Sequence, residues 1–473
     1  MPDQYIVGID IGTSKLCSTV AIRESSGALR YVGHGSTPSG GLKNGDIIDV
    51  PGLGAAFVRA VEEARYLIGA PVHDIVVSMS GMRLEPIDRS GGVSLTLGRP
   101  VTQDDVARAI ASARGQDPSG VQPIHRVVRS LVLDGERVDD PLGKSGTRLD
   151  ARVRDYAVSS VLVDRLRQVG DASAVRVHSL VPGGVASAAA TLTDEERRNG
   201  VALVDIGSGT TDIAVYAGGE LRHLATFPAG GNHVTTDIAS ILEVPLDEAE
   251  RLKRRHGAIG EDSDEELILE WTPRTIAMLQ RMAAEGEVPA YAVRSIAGAR
   301  VIQIIDRVRE TLAQTEAGSA LRSGIVLTGG GAQLHGVSDI AQAILQMPVR
   351  SGAVLAADGF PAIADPGASG SVGLVRYVAA RAEPTKDSAP QPVGRGSVFR
   401  TSGIVHPVVG RSLQRRESRA VGMSDTIDVI SVSPPSVRVA HSRQQPRLKR
   451  ASGGWGQTLR DWMRELVPSH VDD

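Results

Sequence analysis

Asp10-Ile11-Gly12-Thr13-Ser14-Lys15 and, almost two hundred residues later, Asp205-Ile206-Gly207-Ser208-Gly209-Thr210-Thr211-Asp212 repeat one arrangement: a carboxylate, then glycine, then hydroxyls. These residue types suit a bound phosphate and its cation. Glycine lets backbone N–H groups approach an anion closely, hydroxyls add further donors, and an aspartate facing the same space suits a phosphate-bound metal ion. A third turn, Thr328-Gly329-Gly330-Gly331-Ala332, would lay bare backbone against a flat or anionic ligand. One Asp-x-Gly turn alone also occurs in ordinary hairpins. Two in one chain, followed by a triple glycine, point to a nucleotide.

The elements that must hold these turns are strands. Tyr5 to Ile9 and Val201 to Val204 are apolar without polar alternation, as strands covered on both faces are. Strand character resumes after each turn, Leu16 to Ile22 and Asp212 to Tyr216, so each turn closes a β-hairpin. This excludes a Walker-type loop, which leads through Gly-Lys-Ser/Thr into a helix. Two such hairpins predict two related half-domains gripping one nucleotide from either side. In their order the three turns resemble the phosphate 1, phosphate 2 and adenosine motifs of the superfamily that unites actin, heat-shock chaperones and sugar kinases. That resemblance implies an α/β, two-lobed actin-like ATPase fold that takes ATP and Mg2+. Gly12, Thr13, Ser14 and Lys15 would meet the phosphates from one lobe and Gly207, Ser208, Gly209, Thr210 and Thr211 from the other. Gly329, Gly330 and Gly331 would lie against the adenosine. Asp10 and Asp205 would face a Mg2+ held mostly by water and phosphate.

The composition sets limits. The chain has 473 residues, 41% of them apolar and only 3% aromatic, and a formal charge of −3, which predicts several domains with aliphatic cores. So small a net charge argues against nucleic acid as a partner bound through bulk electrostatics. Met1 to Gln4 lack a secretory signal, and no run of about eighteen apolar residues could span a bilayer, so a cytoplasmic address is expected. The single cysteine, Cys17, reads as a buried structural thiol.

Along the chain, residues 1–81 read as the first part of lobe 1, with a helix from Gly52 to Ile68 and a strand from Asp74 to Gly81. Residues 82–160 read as a compact insertion with strands near 84–95, 125–133 and 148–159 and a helix from Thr102 to Arg114, opened by Thr102 with Asp104 and Asp105 in its first turn. Lobe 1 continues over 161–198, with a helix from Gly184. Lobe 2 begins at 199–228, gives way over 229–317 to a mostly helical subdomain, resumes at 318–354, and the chain returns to lobe 1 over 355–380. The helical subdomain reads as Val234–Leu242, Leu246–Arg255 and a long helix from Ala290 to Gln314, interrupted by an acidic, strand-like stretch from Glu261 to Glu270.

Here the resemblance narrows. Gly8-Ile9-Asp10-Ile11-Gly12-Thr13-Ser14-Lys15, Thr37 to Gly45, Ser80-Gly81, Val101 to Val106, Leu192 to Arg197 and Ala249 to Gly257 are similar to the FtsA family, actin-like cell-division proteins that tether FtsZ filaments to the bacterial membrane. The similarity runs in unbroken order over about 5–380 and again in the last twenty residues. It implies that 82–160 is the subdomain called 1C, which replaces actin's 1B and contacts other division proteins. It also implies actin-like self-assembly, a 2B subdomain over 229–317 whose Glu250 and Lys253 contact the nucleoside, and docking of the FtsZ C-terminal tail at Arg300. The plainer readings are an exposed helical ion pair and one more solvated arginine. In related ATPases a Glu or Gln at the head of the helix before the second phosphate loop orients the attacking water. Gly183 falls in that slot, so ATP binding with weak or absent turnover is expected. A small-molecule kinase of the superfamily, or an actin-like scaffold for another membrane assembly such as pili, are the alternatives.

Residues 381–452 turn to Pro, Ser, Gly and Arg, with 13 Lys and Arg against 5 Asp and Glu, and read as a disordered basic tether. Within it, Thr426 to Val432 is apolar enough to pair with something. Over 453–473, Trp455, Leu459, Trp462, Met463 and Leu466 fall on one face of a helix. That face reads as an anchor to the anionic cytoplasmic surface of the membrane, at the division septum if the resemblance holds. A helix docked on the body of the chain is the alternative.

Overall fold

A computed structural model describes residues 4–24, 26, 28–259, 273–315, 321–357 and 359–381. The first lobe opens with β1 (Gln4–Ile11), β2 (Lys15–Arg23) and β3 (Leu29–Pro38), then a minimal hairpin, β4 (Leu42–Lys43) and β5 (Asp46–Ile47), helix α1 (Val50–Ile68) and β6 (Asp74–Met79). The insertion holds β7 (Glu85–Ser94), α2 (Gln103–Ser112), β8 (Val121–Leu133), β9 (Glu136–Val138) and β10 (Arg148–Ser159). Lobe 1 resumes with α3 (Ser160–Ala172), β11 (Arg176–Pro182), α4 (Gly183–Thr191) and α5 (Asp194–Asn199). Lobe 2 follows with β12 (Val201–Ile206), β13 (Thr211–Ala217), β14 (Glu220–Phe227), α6 (Gly231–Leu242), α7 (Leu246–His256), α8 (Pro273–Ala284), α9 (Ala290–Ala313), β15 (Ile325–Thr328), α10 (Val337–Leu345) and β16 (Val349–Ser351). Helix α11 (Ser369–Arg381) ends the described chain.

The two lobes are topological copies. One sheet runs β3-β2-β1-β6-β11 and the other β14-β13-β12-β15-β16. In each, an antiparallel meander of three strands is extended by two parallel ones: β1 pairs antiparallel with β2 and parallel with β6, and β12 pairs antiparallel with β13 and parallel with β15. The apolar strands are buried as their sequence requires. Every residue of β12 is buried, and Ile9, Ile11, Leu16 and Val20 pack with Phe57 and Val61 of α1.

Helices α4 and α11 pack against each other between the two sheets. Their sequences explain how closely: α4 reads Gly-Gly-Val-Ala-Ser-Ala-Ala-Ala-Thr and is buried almost all round, as a helix without a polar face must be. At Gly373 of α11 a Cβ would overlap the Ala186 carbonyl, so only glycine allows the approach.

The insertion is a four-stranded antiparallel sheet, β7-β10-β8-β9, with α2 across one face over Val106, Ile110, Leu131, Leu149 and Val153. Thr102 caps α2 as its sequence predicts, in a full capping box with Asp105, but the helix stops at Ser112, two residues short of the expected end. The insertion also touches lobe 2: the Leu224 N–H of β14 donates to the Tyr156 hydroxyl of β10 at 3.0 Å. Beside it the Arg129 and Arg222 guanidinium groups each donate to the other's backbone carbonyl, at 3.3 and 3.4 Å.

In the helical subdomain, α8 is an element the sequence reading did not anticipate. The acidic stretch 261–270 lies outside the described residues, as do the tether from 382 onward, Thr426 to Val432 and the terminal segment with Trp455, Leu459, Trp462, Met463 and Leu466. Among the described residues no helix is long and apolar enough to cross a membrane.

Candidate nucleotide-binding cleft

The two hairpin turns face each other across a cleft of about 690 Å³. It is lined by Asp10, Gly12, Thr13, Ser14 and Lys15 from the first, Asp205, Gly207, Ser208 and Thr210 from the second, and Gly329, Gly330 and Gly331 from the third turn. Both hairpin turns close on the same hydrogen bond, Gly12 N–H to the Lys15 carbonyl at 3.1 Å and Gly207 N–H to the Thr210 carbonyl at 2.8 Å. They also meet each other. A Cβ on Gly209 would stand 2.7 Å from the Thr13 hydroxyl, so the second loop can close on the first only as glycine. The triple glycine packs onto the second loop: Gly329, at φ 87°, leaves no room for a side chain against Asp205 and Ile206. Of the residues expected at the phosphates, Gly209 and Thr211 do not line the cleft: Gly209 packs against Thr13, and the buried Thr211 hydroxyl donates to the Ala229 carbonyl at 2.7 Å.

Three carboxylates sit under this cleft. The Ser78 hydroxyl donates to Asp10 at 2.6 Å, and the Ser187 hydroxyl of α4 donates to Asp205. Burial pushes the Asp10 carboxyl up, against the Ser78 bond and the Lys15 charge. Burial likewise pushes Asp205 up to about 7, with the nearby Asp212 and Asp10 charges adding to it. Asp212, opposite Asp205 in the β12–β13 register, is pushed up to about 6, again chiefly by burial. Among the described residues no three His, Cys, Asp or Glu side chains converge tightly enough to hold a metal by themselves. A hard cation here would therefore draw most of its oxygen ligands from phosphate and water.

Glu250 and Lys253 form no isolated surface pair. They line the cleft from α7, 2.6 Å apart, and both meet the Thr235 hydroxyl of α6, which donates to Glu250 at 2.6 Å and accepts from Lys253 at 2.8 Å. Arg300, on α9, has a partner the sequence did not reveal. Its guanidinium grips Asp237 of α6 in two bonds of 2.6 and 2.8 Å and donates a third to Gln303 at 2.9 Å. The Arg300 side chain is 16% exposed and that of Asp237 1%.

The sequence matches known proteins over most of the described body. It is 31% identical to the cell division protein FtsA of Pseudomonas aeruginosa over 384 residues, 79% of this chain and 89% of that one. Against the Escherichia coli protein of the same description it is 31% identical over 385 residues, covering 79% and 90%. The chain belongs to the FtsA family. The family model described as cell division protein FtsA matches residues 202–373, and that of the SHS2 domain inserted in FtsA matches residues 78–155, the region of the four-stranded insertion. Among solved structures, the PilM–PilN type IV pilus biogenesis complex aligns with a TM-score of 0.52 at 16% identity, covering 80% of this chain and 99% of that one, a likeness of fold.

In this FtsA-family chain the cleft also has residues the sequence reading passed over. Gly231 and Asn232 head α6 and donate to the carbonyls of Gly207 and Ser208 at 2.9 and 2.7 Å, bracing the second loop. Asp365 reaches Lys15 at 3.7 Å and accepts from Gln333 at 2.8 Å, linking the first loop to the segment after the triple glycine. Gly370 lies against the Asp10 carboxylate. The Gly230-Gly231 doublet before a helix was a visible signal for the first; nothing in the local sequence marks Asp365.

Proposed function

We propose that this FtsA-family chain binds ATP with Mg2+ between its lobes, assembles in actin-like fashion, and links FtsZ filaments to the cytoplasmic face of the membrane at the division septum. The observation that carries the nucleotide half is the pair of hairpin turns of identical closure meeting across one cleft, with the triple glycine packed on the second. Gly12 to Lys15 and Gly207 to Thr210 supply N–H, hydroxyl and ammonium donors to the phosphates, and the network of Glu250, Lys253 and Thr235 walls the nucleoside side. The buried carboxylates fit a cation: Asp10 and Asp205 both line the cleft, burial raises the cost of ionising each, and the Asp10 charge adds to that cost at Asp205. Asp10 and Asp205 would hold Mg2+ through water, and the ion would supply charge neutralisation to the phosphates.

Asp205→Ala is expected to weaken Mg-ATP binding by at least about tenfold while the fold persists, since it removes one of two carboxylates facing the cation. Titration calorimetry with and without Mg2+ reads this. Unchanged affinity sinks the cation assignment, and no ATP binding by the unaltered chain sinks the nucleotide reading. The tethering half rests on family membership and on the terminal apolar face of Trp455, Leu459, Trp462, Met463 and Leu466. Docking of the FtsZ tail on the helical subdomain near Arg300, contacts of the insertion with other division proteins and self-assembly belong to the same proposal. Co-pelleting with liposomes, FtsZ and ATP tests it.

A further inference from the structure

Gly183 occupies the slot where related ATPases carry a water-orienting Glu or Gln, yet the space beside it is not empty. Strands β1, β6 and β11 are parallel neighbours, with Ile11 opposite Met79 and Met79 opposite Pro182. The next residue of each strand is therefore Gly12 of the first phosphate loop, Ser80, and Gly183 at the head of α4. A nucleotide at the carboxyl ends of parallel strands meets this row. Ser80 lines the cleft, and a Cβ built on Gly183 would overlap the Ser80 hydroxyl and stand 3.1 Å from its Cα. The serine hydroxyl thus fills the volume where a side chain at 183 would begin.

The hydroxyl also has a carboxylate behind it. Gly81 N–H donates to Oδ1 of Asp212 at 3.3 Å, tying the Ser80-Gly81 turn to β13 of the opposite lobe. Asp212 is buried and does not itself line the cleft. Its Oδ2 is buried without a hydrogen bond, and the Ser80 and Thr226 hydroxyls both stand beside it, Ser80 alone of the two lining the cleft. A hydroxyl that donates inward to such an oxygen keeps its lone pairs turned to the cleft, where they can accept from a water.

We propose that Ser80, held by Asp212, is the group that orients the attacking water for slow ATP hydrolysis, in place of the side chain that Gly183 lacks. This rests on the reading of the cleft as an ATP site. In the step, the water oxygen forms a bond to the γ-phosphorus as the bond to the β–γ bridging oxygen breaks. The electron pair leaves with ADP, and the water protons pass to the phosphate product and solvent. Ser80 and Asp212 fix the direction of the water and keep their own protonation. Since a hydroxyl is a weaker acceptor than a carboxylate, turnover is slow rather than absent.

The test is single-turnover and steady-state phosphate release by the full chain with Mg-ATP, alongside ATP affinity by calorimetry. Ser80→Ala is expected to lower kcat about tenfold or more with KM and affinity within about twofold, and Ser80→Thr to retain most of the rate. Gly183→Ala, which pushes the hydroxyl aside, is expected to behave as Ser80→Ala does. A wild-type kcat in Ser80→Ala overturns the proposal. So does an unaltered chain that binds ATP but releases no phosphate above background, an outcome that leaves the binding reading standing. A chain that does not bind ATP removes the site itself.

Discussion

The Arg300 guanidinium directs three donors to partners inside the second lobe, two of them to an aspartate that water barely reaches. Removing one member of a buried charge pair leaves the other uncompensated, at a cost of about 3–5 kcal/mol, so the arginine has a structural duty whatever it does for a partner. Arg300→Glu would set two carboxylates together where α6 meets α9. The expected outcome is loss of FtsZ-tail binding together with a lower Tm. The two effects separate in the charge-swapped pair Asp237→Arg with Arg300→Asp, which restores the ion pair but moves the cation. If the swap regains the wild-type Tm and still fails to bind the tail peptide by fluorescence anisotropy, the cation at 300 is a tail contact. If it regains both, docking lies elsewhere on the helical subdomain.

Among the elements, α2 shows the most local logic. Thr102 and Asp105 cap each other's backbone, and the same Asp105 carboxylate accepts from Arg99 and Arg108. Hydrogen bonds from Thr102, ahead of those from the two arginines, hold that carboxyl well below the usual carboxylate range. A depressed carboxylate stabilises the fold fully above its unfolded pKa of about 4, and the contribution is lost as pH falls below that through the folded value. Asp105→Ala is expected to cost about 1–3 kcal/mol at pH 7, and the deficit against wild type should shrink progressively below about pH 4. Denaturant melts at several pH values check both; a deficit that does not change with pH would mean packing, not charge, is what Asp105 supplies. The capping residues, the two hairpins and the apolar strands were legible because each depends on neighbours in sequence. Helix α8 was not: its one deeply buried side chain, Leu279, leaves too narrow an apolar stripe to mark a helix. The Arg300–Asp237 pair, Asp365 beside Lys15 and Ser80 beside Gly183 were not either, because each joins positions that only the folded chain brings together.

At the scale of the whole molecule, the described body supplies two lobes and an insertion that touches both, and the proposed membrane attachment rests on the sequence beyond residue 381. Trp455, Leu459, Trp462, Met463 and Leu466 share one face of a helical repeat, with Arg443, Arg447, Lys449 and Arg450 shortly before them. Full burial of those five side chains would contribute on the order of 8–15 kcal/mol, an upper bound, because an interfacial helix is half immersed and must first be ordered. A single shallow anchor is reversible, so lasting attachment needs the basic residues acting on anionic lipid or the avidity of many copies in a filament. Trp462→Glu sets a charge in the middle of the apolar face. It is expected to release the protein from anionic liposomes while ATP binding and tail-peptide binding persist. High salt should weaken the wild type through the basic segment and leave a residual share from the apolar face. If a chain ending at Ser452 pellets with anionic liposomes as well as the full chain does, the terminal face is not the anchor, and the tether proposed here fails at its membrane end.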